Sequence, residues 1–189
     1  MRKVSYSAAC RLDGFITDRD GGHDWITFSP EPEAAEVMTN IWKDVDAVLS
    51  GRKTFEVAQR WGAGDKAMPG VTGYVFSRTL PDRATGSSVL VREDAAEFVR
   101  RLKTRPGKNI FVMGGGELAH ALFEADLIDE VSVGVLPLLL GGGAPLFHPM
   151  SRRIDLKQKE GRVFKSGGAF LRYEVVRAKR QRRPTKKAA

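Results

Sequence analysis

Cysteine is almost missing from this chain: Cys10 stands alone among 189 residues. One thiol makes no disulfide within the chain and supplies no cysteine cluster for metal binding. Long apolar runs are missing too, and none approaches the roughly 20 residues that a membrane span needs. The start, Met1-Arg2-Lys3-Val4-Ser5-Tyr6-Ser7, passes straight into a strand-like alternation without the apolar stretch of a secretory signal. A cytoplasmic protein, with no membrane partner, is therefore expected. Histidine is scarce, and His23, His120 and His148 are scattered without metal-ligand spacing. No metal is expected, and His120 is placed at the surface. The glycines fit neither the Gly-x-Gly-x-x-Gly fingerprint nor the Gly-x-x-x-x-Gly-Lys-[Ser/Thr] loop, which disfavours an ordinary Rossmann dehydrogenase or a kinase.

Acid is lacking in one place in particular. The last twelve residues, Ala178 to Ala189, hold Lys179, Arg180, Arg182, Arg183, Lys186 and Lys187 and no Asp or Glu. Six of the eight net positive charges sit there, leaving about two on the body. A basic, Pro-containing, non-periodic end reads as a disordered tail, residues 178–189, touching nucleic acid at most non-specifically. Residues 1–177 then form one domain, with 42% hydrophobic and 29% charged residues over the whole chain, ordinary for a globular protein.

What is present is an alternation of strand and helix signals. Strands are expected at residues 2–10, Val45 to Ser50, Thr72 to Ser77, Val89 to Val91, Asn109 to Met113 and Asp129 to Leu136. After Pro32, the residues Ala34, Val37, Met38, Ile41 and Trp42 make the stripe of a core-facing helix. Further helices are expected at Lys53 to about Arg60, at 93–104 with Ala95, Phe98, Val99 and Leu102 inward, and at Glu117 to Ala125 with Leu118, Ala121, Leu122 and Ala125 inward. Two last strands, about 154–164 and 168–177, flank Ser166-Gly167-Gly168 and suggest an antiparallel pair. The sum is an α/β fold: a mixed, mainly parallel sheet flanked by helices, with a C-terminal antiparallel hairpin. The Gly/Pro loop 137–149 reads by default as a connector, the alternative being that Leu140 to Phe147 approaches a substrate or a dimer partner.

Two stretches share one design, an apolar strand, then glycine, then a helix. They are Asp46-Ala47-Val48-Leu49-Ser50-Gly51-Arg52-Lys53-Thr54-Phe55 and Asn109-Ile110-Phe111-Val112-Met113-Gly114-Gly115-Gly116-Glu117-Leu118. Such a junction lets the helix aim free N–H groups and the positive end of its dipole at an anion. Either one alone is also a plain tight turn, and Arg52 and Lys53 are also plain surface charges. Two junctions together suggest a ligand with more than one phosphate.

Four blocks in fixed order carry a family resemblance. They are Leu12-Asp13-Gly14-Phe15-Ile16 with Gly22-His23-Asp24-Trp25-Ile26; Val48-Leu49-Ser50-Gly51-Arg52-Lys53-Thr54-Phe55; Val75-Phe76-Ser77-Arg78; and Val112-Met113-Gly114-Gly115-Gly116 running on through Leu127-Ile128-Asp129-Glu130 to Leu136-Pro137-Leu138-Leu139-Leu140-Gly141-Gly142-Gly143. Over residues 3–176 the chain resembles the dihydrofolate reductase-like superfamily, above all stand-alone proteins similar to the reductase half of the riboflavin-pathway deaminase-reductase. A deaminase half is absent, since one cysteine cannot complete its zinc signature. The resemblance implies a dihydrofolate reductase-like, three-layer fold, a homodimer and NADPH as cofactor.

By that resemblance Gly51, Arg52, Lys53 and Thr54 lie against the cofactor phosphates, with Thr54 capping the helix start. Arg52 is the residue type for a 2′-phosphate, because a guanidinium binds phosphate oxygens bidentately. Ser77 and Arg78 complete that pocket. Gly114, Gly115 and Gly116 let the backbone approach the pyrophosphate, with Glu117 and Leu118 opening the helix over it. The backbone at Ala9 and Ile16 flanks the nicotinamide amide. An NAD site would want an acid for the ribose hydroxyls, and neither junction supplies one.

The chemistry is harder to place. Hydride reduction of a C=N or C=O bond leaves an atom that must be protonated, and in dihydrofolate reductases a carboxylate on the first helix serves. Counted back from Gly51, that position here is Ala35, which makes dihydrofolate an unlikely substrate. Glu36 points opposite the apolar face, and Glu33 lies at its edge, roughly 100° from the centre. Asp13, in the Leu-Asp-Gly turn, is the other candidate acid and faces the substrate by resemblance, although Asp-Gly is also an ordinary turn pair. Trp25 walls the substrate pocket or belongs to the core. The expectation is an NADPH-dependent reductase of a small heterocyclic (pterin- or riboflavin-precursor-like) or carbonyl substrate. The alternatives are a non-catalytic NADP(H)-binding or sensor protein and an RNA-associated protein acting through the tail.

Overall fold

The computed structural model describes residues 1–25, 32–62 and 69–177. The basic tail 178–189 and Ile26 lie outside the described residues. In chain order the elements are β1 (Val4–Arg11), α1 (Pro32–Lys43), β2 (Val45–Gly51), α2 (Arg52–Arg60), β3 (Thr72–Phe76), β4 (Val89–Val91), α3 (Ala95–Thr104), β5 (Asn109–Gly114), α4 (Gly116–Glu124), β6 (Glu130–Leu136), β7 (Asp155–Val163) and β8 (Ala169–Val176). They build one eight-stranded sheet in the order β4-β3-β2-β5-β1-β6-β8-β7. The first six strands run parallel, and β8 is antiparallel to both β6 and β7. The mixed sheet and terminal hairpin expected from the alternation are both present.

The central strands read as near-continuous apolar runs because helices cover them on both faces. Val4, Leu49, Ile110, Val112 and Val131 are buried in one core. On one side the Trp42 ring of α1 lies 4.8 Å from that of Phe111 on β5. Elsewhere Tyr6 meets Phe123 of α4 edge to face at 5.9 Å, an arrangement the ring quadrupoles favour. Two inward assignments need correcting. In α4 the buried residues are Leu118, Ala119, Leu122 and Phe123, while Ala121 is exposed. The bulky Phe123 is drawn onto Tyr6, and that turns the small Ala121 outward. In α1 only Val37 is fully buried and Met38 is exposed.

At the N-terminal ends of the parallel strands, charges are matched to partners. Asp129, just before β6, accepts from the Val4 amide at 2.8 Å, from Lys103 Nζ, and from Arg177 Nη1 at 2.7 Å. Lys103, only 5% exposed on α3, also donates to the Leu127 carbonyl. Burial works to raise the Asp129 carboxyl, but Lys103, the Val4 amide and Arg177 together hold it below the usual carboxylate value. Arg2 pairs with Asp46, and Asp46 also accepts from the Lys108 amide at 2.8 Å.

Candidate active site

The opposite, C-terminal edge of a parallel sheet is where ligands of open α/β folds bind. Here the sheet splits. Strand β1 pairs with β6 from Ser5 to Arg11, but with β5 only from Val4 to Tyr6. From Ser7 onward the side of β1 facing β5 is left unpaired, and Ala9 lies in that gap, opposite Gly134 of β6.

The two glycine junctions meet at the neighbouring strand ends. Gly51 ends β2 and Gly114 ends β5, paired with Ser50. A Cβ on Gly51 would lie 3.4 Å from the Gly115 amide nitrogen. Gly114 has φ +135°, a conformation side chains disfavour, and is joined to Gly115 by a cis peptide. The caps of both following helices are glycines, Gly51 for α2 and Gly115 for α4, and among the described residues neither N-terminus receives a side-chain hydrogen bond. By contrast, Asp94 caps α3 by accepting from the Glu97 amide at 3.0 Å. Thr54 is therefore not the cap it was expected to be. Helix α2 already begins at Arg52, and the Thr54 hydroxyl sits where a Cβ on Gly114 or Gly115 would come within 3.3 Å of it.

Around these amides lie the expected charged groups. Arg52 holds Glu56 one turn along at 2.8 Å, both half-exposed, and Lys53 is exposed. Ser77 is a turn residue, its hydroxyl accepting from the amides of Thr79 and Leu80. Arg78 is exposed, its carbonyl taken by Arg92 Nη1. Glu117 is exposed and Leu118 buried, so Leu118 could serve a ligand only through its backbone. His148 reaches the start of α4, where a Cβ on Gly116 would lie 2.8 Å from its Nε2. His120 is half-buried rather than on the surface, with Nδ1 enclosed and its ring 6.0 Å from that of His148.

The loop after β1 and the loop after β6 form one unit, so 137–149 is more than a connector. Ile16 donates to the Ala144 carbonyl at 2.8 Å, Leu146 to the Gly14 carbonyl at 2.8 Å, and Ala144 to Thr17 Oγ1 at 2.9 Å. Arg19 reaches across to the Gly141 carbonyl at 2.8 Å. A Cβ on Gly143 would overlap the Thr17 carbonyl, so only glycine permits this approach. Asp13 is central: its Oδ2 accepts from the amides of Leu140 at 2.7 Å and Gly141 at 2.8 Å. The Gly141 amide chiefly, with Leu140 adding, holds the carboxyl below its ordinary value against the effect of burial. Oδ1 is enclosed and accepts no hydrogen bond among the described residues. Glu33 is exposed on the first turn of α1, and Glu36 lies 3.8 Å from Arg162 of β7. Trp25, half-buried, lies over the guanidinium of Arg11 at 4.2 Å. Sequence reasoning passed over Arg11, Thr17, Arg19 and Glu56; a charged residue closing an apolar strand was the one available signal.

This mainly parallel eight-stranded sheet with its C-terminal antiparallel hairpin, flanked by helices, has the dihydrofolate reductase-like fold. A family model described as the RibD C-terminal domain matches residues 2–170, and the chain belongs to that family. Among curated proteins it is similar to YwjB of Bacillus subtilis, an uncharacterized protein, at 34% identity over 94% of this chain and 99% of the other. YyaP of the same organism, also uncharacterized, is 31% identical over 91% and 94%. Among solved structures, a protein from Shewanella sp. PV-4 named for riboflavin biosynthesis superposes with TM-score 0.79 at 26% identity, covering 93% of this chain and 99% of that one. Dihydrofolate reductase from Enterococcus faecalis, complexed with NADP(H), shares the fold at TM-score 0.66 and 16% identity over 92% and 96%.

Proposed function

We propose that this chain is an NADPH-dependent reductase acting on a small heterocyclic or carbonyl substrate. The observation that carries the reading is the meeting of two uncapped helix N-termini at abutting glycines, beside the gap between β1 and β5. Free N–H groups there suit a pyrophosphate, and bare glycine backbone admits it where a Cβ would intrude. The residues present therefore fit the cofactor. The amides of Gly115, Gly116 and Glu117, with those of Arg52 and Lys53, would bind its phosphates. Arg52 and Arg78 would take the 2′-phosphate, with Ser77 shaping the turn that carries Arg78. The backbone of Ala9 and Ile16 would position the nicotinamide along the unpaired edge of β1. When bound, the group supplies a hydride; the protein's part is orientation and exclusion of water.

For the proton, Asp13 is held ionised by backbone donors, so it accepts rather than gives at neutral pH. Its unpartnered Oδ1, once the loop shifts to uncover it, would align a water or a substrate N–H, and the proton then reaches the product through that water or through Glu33. Among the described residues no Asp or Glu is fully buried to hold a proton for the product, which favours one second reading, a sensor that binds NADP(H) without turnover. The homodimer expected by resemblance stays a proposal. Exposed Leu156 and Val163, on one face of the edge hairpin, are the surface it would cover, and sedimentation of Val163→Lys against wild type tests it.

Tryptophan fluorescence titration with NADPH and NADH tests the main reading. NADPH should bind at least tenfold more tightly, about 1.4 kcal/mol, and Arg52→Ala or Arg78→Ala should remove most of that margin. Equal binding of the two, or none, overturns it. Single-turnover oxidation of bound NADPH against pterins, flavin precursors and aldehydes separates reductase from sensor.

A further inference from the structure

Arg11 is the largest fully buried side chain of the described residues, 1% exposed, at the end of β1 where the sheet splits. Its Nε and Nη1 are enclosed and have no hydrogen-bond partner among the described residues. The Trp25 ring lies 4.2 Å from its guanidinium, and among the described residues the Trp25 Nε1 donor is itself enclosed and unpartnered. Three donors are thus buried together without an acceptor, an expensive arrangement for a cation and an indole.

The nearest carboxylates do not resolve it. Asp18 spends Oδ1 on the amides of Asp20 and Gly22, at 3.0 and 2.5 Å, and Asp13 spends Oδ2 on Leu140 and Gly141. Neither forms an ion pair with Arg11, although both lend it long-range support against burial, which pushes the guanidinium down. A ring face can attract a cation but cannot accept in-plane N–H bonds. An anionic oxygen group can, since a guanidinium edge matches two such oxygens.

We infer that Arg11 and the Trp25 indole nitrogen form an anchor for an anionic oxygen group of the substrate, a carboxylate or a phosphate, with the Trp25 ring moving to admit it. Resting on the reductase reading only for the word substrate, this narrows the substrate class to acidic small molecules. It also gives Trp25 a binding role rather than a wall role.

The test uses the full chain, with and without NADPH, and follows tryptophan fluorescence. The probes are benzoate, its uncharged isostere benzamide, and inorganic phosphate. Benzoate or phosphate should half-saturate at a concentration at least tenfold below benzamide, and whichever of the two anions wins names the group. Trp25→Phe should abolish the signal, Arg11→Gln the preference, and Arg11→Lys should keep part of it because the charge remains. Equal responses to benzoate and benzamide with none to phosphate, in wild type alone, overturn the anchor even if Arg11→Gln fails to fold. So does a preference that survives Arg11→Gln. NADPH binding without anion preference sinks the anchor and leaves the reductase; anion binding at Arg11 without NADPH binding does the reverse.

Discussion

The two ends of the sheet treat charge and backbone in opposite ways. At the N-terminal end, Asp129 collects Lys103, Arg177 and the Val4 amide, and Asp46 collects Arg2 and the Lys108 amide. At the C-terminal end, two helices begin without side-chain caps, and Arg11, Trp25 and Asp13 keep enclosed polar atoms without partners. A buried polar atom without a partner destabilises the fold, and four of the six such atoms among the described residues belong to Arg11, Asp13 and Trp25, a concentration that supports a ligand site at this end. One end pairs its own charges; the other leaves unpaired the groups on which the proposed cofactor and substrate would draw.

The sharpest way to break that contrast is to unmatch the finished end. Asp129→Asn removes the countercharge from Lys103, which is 5% exposed, and leaves a buried cation with only neutral acceptors such as the Leu127 carbonyl. Loss of one partner of such a pair typically destabilises by about 3–5 kcal/mol, read from urea unfolding at pH 7. NADPH affinity of the remaining folded protein should change by less than about twofold, roughly 0.4 kcal/mol. A stability loss under about 1 kcal/mol would mean that the network is ornamental. Acid should do the same more gently. Asp129 and Asp13 both titrate below their ordinary values in the folded chain, so the stability they lend is complete above the unfolded value near 3.9. It is lost as pH falls through the lower folded values. Unfolding midpoints below about pH 4 should therefore drop less steeply in Asp129→Asn than in wild type.

The converse experiment fills the unfinished end. Gly115 has φ −83°, which alanine accepts, and its Cβ would only brush the Thr54 hydroxyl at 3.3 Å. Gly115→Ala should leave the unfolding free energy within about 1 kcal/mol of wild type. It should weaken NADPH at least tenfold, about 1.4 kcal/mol, by keeping the phosphates off the amides. Equal losses in stability and binding would make this a structural turn. Capping gives the matched control. Asp94→Ala removes the side chain that finishes α3 and should cost about 1 kcal/mol of stability with no effect on NADPH.

How much of this was legible in the chain depended on range. Periodicity found every strand and helix because side-chain alternation is local; β2 was expected at Val45 to Ser50 and runs Val45–Gly51. Glycine at strand ends marked both helix junctions for the same reason. The stitching of residues 13–19 to 140–146 was invisible, because it is made mainly by backbone amides and carbonyls distant in sequence, which any residue possesses. Ala121 was misplaced because alanine sits equally well in or out, and the large Phe123 decided the rotation of α4. The burial of Arg11 and Lys103 was invisible because charge predicts exposure, and only tertiary neighbours override it.

The smallest effect concerns a residue that no sequence pattern singled out. Arg52, expected to meet a phosphate, instead holds Glu56 at 2.8 Å, so the unfinished end contains matched charge as well. Both side chains are about two-fifths exposed, 42% and 40%, and an exposed i,i+4 pair contributes only about 0.3–0.5 kcal/mol. A phosphate can therefore displace Glu56, but the carboxylate it displaces stays close and repels it. Glu56→Gln should strengthen NADPH binding about twofold, roughly 0.4 kcal/mol, and leave NADH unchanged, because only the 2′-phosphate competes for Arg52. The gain should shrink as salt rises from 20 to 300 mM, roughly, as screening shortens the reach of the carboxylate. An equal gain for both cofactors would place Glu56 near the pyrophosphate instead, and no gain would leave Arg52 a surface pair belonging to the fold rather than to the site.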